Sequence, residues 1–163
     1  MRALPVFLAA ALAASGANAH TVTADLRNTA GETIGKVSLT DAPKGVVMRV
    51  EAKGLAPGWH GLHFHEKADC SKADFTTAGG HAHGGGDRVH GLLNPKANET
   101  GDLPNLYVDS HGMGATEVFS SLITMALLKD SDGSAVVIHA NADDHLTQPI
   151  GGAGPRVACA ELK

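Results

Sequence analysis

Outside two long stretches, residues 66–105 and 140–156, the chain breaks into short β-branched runs separated by turn residues. "HTVTADL" and "TIGKVSLT" have strand composition, and "GVVMRVEA" alternates, with Val46, Met48 and Val50 on one side. "SAVVIHA" is an apolar β-branched run ending in His139, and the "DSDG" before it is a tight-turn signal. "FSSLITMALL" fits strand or helix by pattern, and its Ile and Thr favour strand. No segment combines a helix cap with a sustained 3.6-residue stripe. These features restrict the fold to an all-β antiparallel sandwich or barrel. The two stretches that do not read as strands are long loops, and loops of that length in a compact domain are usually functional.

Residues 1–19, "MRALPVFLAAALAASGANA", have one Arg near the start, an apolar run from Ala3 to Ala14 and small residues at Ala17-Asn18-Ala19. That is the pattern of a cleaved export signal, with His20 as the mature N-terminus and residues 20–163 as one domain. The apolar run falls short of the roughly 20 residues that span a bilayer, and no later run is longer, so no membrane span is expected in the mature chain. The net charge of −4 argues against nucleic acid as a partner. Both cysteines, Cys70 and Cys159, lie in the exported part. In an oxidising compartment such a pair is expected to form one disulfide closing a long loop, the other reading being two buried free thiols.

Ten histidines remain to be explained. In "HGLHFHE", residues 60–66, His63 and His65 are two apart, so on a strand they project from the same face. The first long loop adds His81, His83 and His90 with Asp87, Glu99 and Asp102. Neutral imidazoles suit copper or zinc, and added carboxylates suit zinc. A loop held at Cys70 and facing an HxH strand is a two-metal arrangement.

"HGLHFHE", Cys70, "AGGH" ending at His81, His90, "GDLPNLYV" from Gly101, "VIHANADDH" and "GGAGPRVAC" ending at Cys159 occur in one order along most of the mature chain. In that order they resemble the bacterial secreted copper–zinc superoxide dismutases. The resemblance implies a Greek-key β-sandwich or barrel, a periplasmic location, superoxide as substrate and a homodimer. It implies copper on His63, His65, His81 and His139, with His81 bridging to zinc, and zinc on His81, His90 and Asp102. It makes Asp143 the carboxylate linking a copper histidine to a zinc histidine, Arg156 the guide for the superoxide anion, and His60 a structural hydrogen-bonding residue.

One position departs from the family. Where a further zinc histidine usually stands three residues before the aspartate, this chain has "ETGD", with Glu99 at the site. The loop "AHGGGDRV" after His81 also lacks the family's more usual aromatic and proline. Glu99 replaces the imidazole, or His83 does, or zinc is lost and the enzyme runs on copper alone. Two other functions stay open: a copper-binding protein for storage or delivery on the same fold, with His83, His111 and His145 as weaker sites, and copper chelation by an N-terminal His20.

Overall fold

The computed structural model describes residues 20–163, so the expected signal segment, residues 1–19, lies outside the described residues. Among the described residues nine strands form a single antiparallel sheet: β1 Thr21–Asn28, β2 Thr33–Ala42, β3 Gly45–Lys53, β4 Gly58–His60, β5 Leu62–His65, β6 Leu106–Val108, β7 Met113–Ser120, β8 Ser134–His139 and β9 Arg156–Leu162. The alternation seen in β3 is structural. Val46, Met48 and Val50 are fully buried with Val37 and Leu39 of β2 and Leu26 of β1. The register of β2 on β3 places Val37 opposite Val50 and Leu39 opposite Met48, so each strand supplies the same inward face.

The spatial order is β4-β6-β7-β3-β2-β1-β9-β8-β5. The two edge strands, β4 and β5, are neighbours in sequence with only Gly61 between them. The chain itself therefore ties one edge of the sheet to the other, and the sheet is a nearly closed barrel. The connections from β3 to β4 and from β7 to β8 skip spatial neighbours, as Greek-key connections do. Gly61 sits in the crossing, where an added Cβ would lie 2.8 Å from the Ala153 Cβ.

The segment "FSSLITMALL" resolves differently from the strand expected. Phe119 and Ser120 end β7, and Met125–Leu128 form a single helical turn, α1, capped by the Thr124 hydroxyl, which accepts from the Leu127 N–H. One turn is too short to show a 3.6-residue period, and that is why its pattern was ambiguous. The first long loop contains only a 3-10 turn, Thr76–Ala78, and isolated bridges, and the second contains no strand before Arg156.

β8 is buried on both sides. Val136 and Ile138 enter the barrel core, while Ala135 and Val137 join Phe75, Ala78 and Cys159 in a second cluster on the outside. Cys159 and Cys70 form a disulfide. It anchors the start of the first long loop over that outer face.

Candidate metal centre

On β5, Leu62 and Phe64 point into the barrel core. His63 and His65, in between, take the opposite face by the period of two. Their cross-strand partners on β8 are Val137 and Ala135, which belong to the outer cluster, so both imidazoles stand outside the barrel under the loops. β5 would be an open edge, and the first loop covers it. The Phe64 N–H donates to the Gly101 carbonyl at 2.9 Å, and the Ala82 N–H donates to the Phe64 carbonyl at 2.8 Å. Bridges of His63 with Asp102 and of His65 with His81 extend this pairing. The same hydrogen bonds that close the edge thus bring His81 and Asp102 beside the HxH pair. His139 arrives at the end of β8, past a register shift that pairs it with Arg156.

Ligand atoms of His63, His65, His81 and His139 all lie within 4.8 Å of one another, and all four residues are buried. The outer ring nitrogens are engaged. His63 Nε2–H donates to Asp143 Oδ2 at 2.7 Å, His65 Nδ1–H to the Gly79 carbonyl at 3.0 Å, and His139 Nδ1–H to the Gly154 carbonyl at 2.9 Å. Each bond selects the tautomer that leaves the other nitrogen as a lone pair. Those other nitrogens, His63 Nδ1, His65 Nε2 and His139 Nε2, together with His81 Nε2, are buried and have no hydrogen-bond partner. Buried polar atoms are rarely left unpaired, and four convergent imidazole lone pairs match a copper ion in donor type and number.

A second group, His63, His81, His90 and Asp102, also keeps its ligand atoms within 4.8 Å. His63 Nε2 is occupied by Asp143, so the free donors of this group are His81, His90 and Asp102. Asp102 Oδ1 stands 2.8 Å from His90 Nδ1 and 3.5 Å from His81 Nδ1, yet has no hydrogen-bond partner. Glu99 Oε2 is 2.7 Å from His81 Nδ1 and 3.0 Å from His90 Nδ1, and Glu99 is buried. Both carboxylates therefore face the same two imidazole nitrogens, Asp102 within the group and Glu99 beside it, and such a donor set suits zinc. His83 is elsewhere: its Nε2 faces Glu66 at 3.1 Å and its Nδ1 accepts from the Gly85 N–H at 3.0 Å. Asp87 lies outside both groups, with its carbonyl accepting from Asn98.

Asp143 joins the two groups, since its Oδ1 accepts from His90 Nε2–H at 3.1 Å while Oδ2 holds His63. Burial opposes the charge on Asp143, but the bonds to His63 and His90 keep its pKa well below the usual carboxylate range. Burial also opposes a charged His90, and Asp102, Asp143 and Glu99 overcome it, pushing its pKa up to about 11. His81 is raised too, with Asp102 and Glu99 overcoming its burial, whereas His63, His65 and His139 behave in the opposite way. Burial brings His63 from 6.5 down to about 4 against the Asp143 hydrogen bond, and burial with the His63 charge brings His139 to about 3. His65 is likewise lowered, first by burial and then by the His81 charge.

These shifts predict how the protein stripped of metal by a chelator responds to acid. Between pH 6.5 and about 4 the unfolded chain takes up protons that folded His63 and His139 refuse, so stability rises with pH there and is lost as pH falls. The slope for each group is about 1.4 kcal/mol per pH unit, or roughly 3 kcal/mol for the two between roughly pH 6 and 5. Urea unfolding across that range measures it. A flat profile would mean that these imidazoles are protonated in the folded protein.

Arg156 is half-buried at the start of β9 and donates to the Phe75 carbonyl and, at 2.6 Å, to the Gly79 carbonyl. Gly79 thereby holds both Arg156 and His65. His60 has its ring nitrogens 2.7 Å from the His139 and Ala56 carbonyls, beside the centre and outside both groups. His20 and His111 are exposed and belong to neither group. Glu66 has no assigned part in the sequence reading, yet it ties the loop together, accepting from the Gly80 N–H at 2.8 Å and contacting His83 and Arg88. The "HFHE" spacing placed it beside His65, but nothing in the sequence identifies a residue that anchors backbone.

A family model described as Copper/zinc superoxide dismutase (SODC) matches residues 33–162. The chain is 52% identical over 139 residues to a Superoxide dismutase (Cu-Zn) of Caulobacter vibrioides, with 82% of this chain and 80% of that protein covered. It is 39% identical over 147 residues to Superoxide dismutase (Cu-Zn) 2 of Aquifex aeolicus, covering 86% of this chain and 85% of the relative. Among solved structures, the Cu/Zn superoxide dismutase from Brucella abortus superposes with a TM-score of 0.75 at 28% identity, over 88% of this chain and 100% of that one. A SOD-like protein from Bacillus subtilis gives a TM-score of 0.76 at 32% identity, over 86% of this chain and 97% of that one.

Proposed function

The chain belongs to the copper/zinc superoxide dismutase family, and from that premise we propose that it converts two superoxide anions and two protons into oxygen and hydrogen peroxide. The observation that carries this reading is the set of four buried, unpartnered imidazole nitrogens at His63, His65, His81 and His139. Copper held there would supply the one-electron redox chemistry, and zinc, which has no redox cycle, would hold its ligands in place. His81, His90 and Asp102 are the zinc residues in this reading, completed by Glu99 and not by His83, because Glu99 shares the two Nδ1 atoms that zinc needs.

The chain's own residues do the rest. His81 alone offers a nitrogen to each group, Nε2 to the four-histidine set and Nδ1 to the carboxylates. Its Nε2 can serve as a metal donor or, alternately, hold a proton, and a proton held there is within the site where the product needs one. Arg156, fixed by two carbonyls, puts a permanent positive charge beside His65 and His139 and draws the substrate anion to that side. Asp143 holds His63 and His90 in their tautomers.

Location and assembly are part of the same proposal. The Cys70–Cys159 disulfide and the signal-like residues 1–19 suit export to the periplasm. Exposed Trp59, Tyr107 and Met113 on β4, β6 and β7, with the Trp59 and Tyr107 rings 4.9 Å apart, offer an apolar face for a homodimer. The test is one preparation from the periplasm, assayed for metal, activity and mass. The expected result is a dimer with one copper and about one zinc per chain and rapid dismutation. Arg156→Ala is expected to keep both metals and lose roughly 10-fold in rate, with a weaker dependence on salt. Full copper without dismutation would replace the enzyme with a copper-carrying protein.

A further inference from the structure

Two amide side chains cross between the long loops in opposite directions. Asn105, at the end of the first loop, accepts from the Asp143 N–H at 2.8 Å and donates Nδ2–H to the Asp143 carbonyl at 2.8 Å. Gln148, in the second loop, accepts from the His90 N–H at 2.9 Å and donates Nε2–H to the His90 carbonyl at 2.9 Å. Each amide therefore satisfies both backbone groups of one residue, as a neighbouring strand would. The reciprocal pairing also fixes which end of each amide carries the oxygen. The two residues so held are themselves bonded, His90 Nε2–H to Asp143 Oδ1 at 3.1 Å.

The link between them has no slack. Gly151, at φ 61°, packs against it so closely that an added Cβ would run into the Asp143 carboxylate and lie 3.0 Å from His90 Nε2. The Leu93 N–H donates to the His145 carbonyl at 3.2 Å and closes the loops on one side. Asp143 and His90 are thus each held at side chain and backbone, with the hold on both backbone groups coming from the opposite loop and Asn94 of the first loop adding a second donor to the His90 carbonyl at 3.1 Å.

We propose that Asn105 and Gln148 are positioning residues that lock the Asp143–His90 link and so couple the copper and zinc positions; this rests on the two-metal reading above. Their effects are asymmetric. Asp143 touches both His63 and His90, so release of its backbone disturbs both metals. His90 belongs to the zinc group alone, so release of its backbone disturbs zinc.

The test uses full-length exported protein loaded with copper and zinc, the variants Asn105→Ala and Gln148→Ala, and three readouts. These are the rate of zinc transfer to a chromophoric chelator, the Cu(II) electron paramagnetic resonance spectrum and the melting temperature. Both variants are expected to release zinc about 10-fold faster than the wild type, the size typical of losing a partner that orients a ligand. Only Asn105→Ala is expected to change the copper spectrum. Should that variant fail to fold, Asn105→Gln keeps both the amide acceptor and the donor on a side chain longer by one methylene and is expected to show a smaller change of the same kind. A fall in melting temperature with wild-type zinc release and copper spectra would overturn the proposal, as would an equal change of the copper spectrum in Gln148→Ala. A wild-type protein that binds neither metal defeats the two-metal reading instead, and is told apart by its metal content before any variant is made.

Discussion

Glu99→Gln is expected to weaken zinc binding by at least about 100-fold, read by competition with a chelator of known affinity, while copper stays bound. Partners that merely orient a ligand are worth roughly 10- to 100-fold in affinity, so a ligand should reach the top of that range or pass it. Gln keeps the length and one oxygen of Glu99 but removes the charge. That matters because Glu99 and Asp102 together supply the two negative charges that balance a divalent ion between neutral His81 and His90. Burial raises the cost of the Glu99 carboxylate, and its hydrogen bonds with His81 and then His90 more than offset it, leaving its pKa lowered. With cobalt in place of zinc, the visible absorption bands should change in the variant, because a ligand has been exchanged. Unaltered zinc affinity would reduce Glu99 to a hydrogen-bond acceptor for the two imidazoles. His83 could then be tested by His83→Ala, which is otherwise expected to leave zinc in place because both its ring nitrogens are already engaged.

How much of this was legible depended on which atoms carry the interaction. The alternation of Val46, Met48 and Val50 marks a strand because side chains repeat at two, and the same period makes His63 and His65 co-facial. Gly61 hides the division of "GWHGLHFH" into two strands at opposite edges of the sheet. No local pattern distinguishes a barrel seam from a continuous strand. β7 carries no alternating signal, because only Gly114 and Ser120 are buried along Met113–Ser120, which leaves no strongly apolar face. Within the site, the histidines and carboxylates can be read as candidates from their chemistry. The bonds that choose their tautomers cannot, since Gly79 and Gly154 act through backbone carbonyls that every residue possesses. Asn105 and Gln148 give no signal for the related reason that they hold backbone, so neither lies in a ligand pattern.

Replacing Cys159 by Ser is expected to cost about 4 kcal/mol of stability and lower the melting temperature by roughly 10–20 °C, and also to slow dismutation in protein that is still folded. The first effect follows from the 89-residue separation of Cys70 and Cys159, whose closure restricts the unfolded chain. The second follows from where the loop leads. Beyond Cys70 the chain packs Phe75 and Ala78 against Ala135 and Val137, then presents the Phe75 and Gly79 carbonyls to Arg156. Gly79 also holds His65 Nδ1 in place. With the bridge gone, the loop stays seated by the Cys70 N–H bond to Glu161 at 2.8 Å, the Lys67 N–H bond to the Ala78 carbonyl at 3.1 Å, the Glu66 contacts with Gly80 and this small apolar cluster, a weaker hold than a covalent bridge. Arg156 then loses both of its carbonyl partners, while His65 loses only the Gly79 bond that orients its ring and stays on β5, which remains paired to β8. The signature is a drop in rate with copper content intact, and a rate that no longer falls further when Arg156→Ala is added to the Cys159→Ser background. Independent, multiplying losses in the double variant would show that the bridge stabilises the barrel without positioning the arginine.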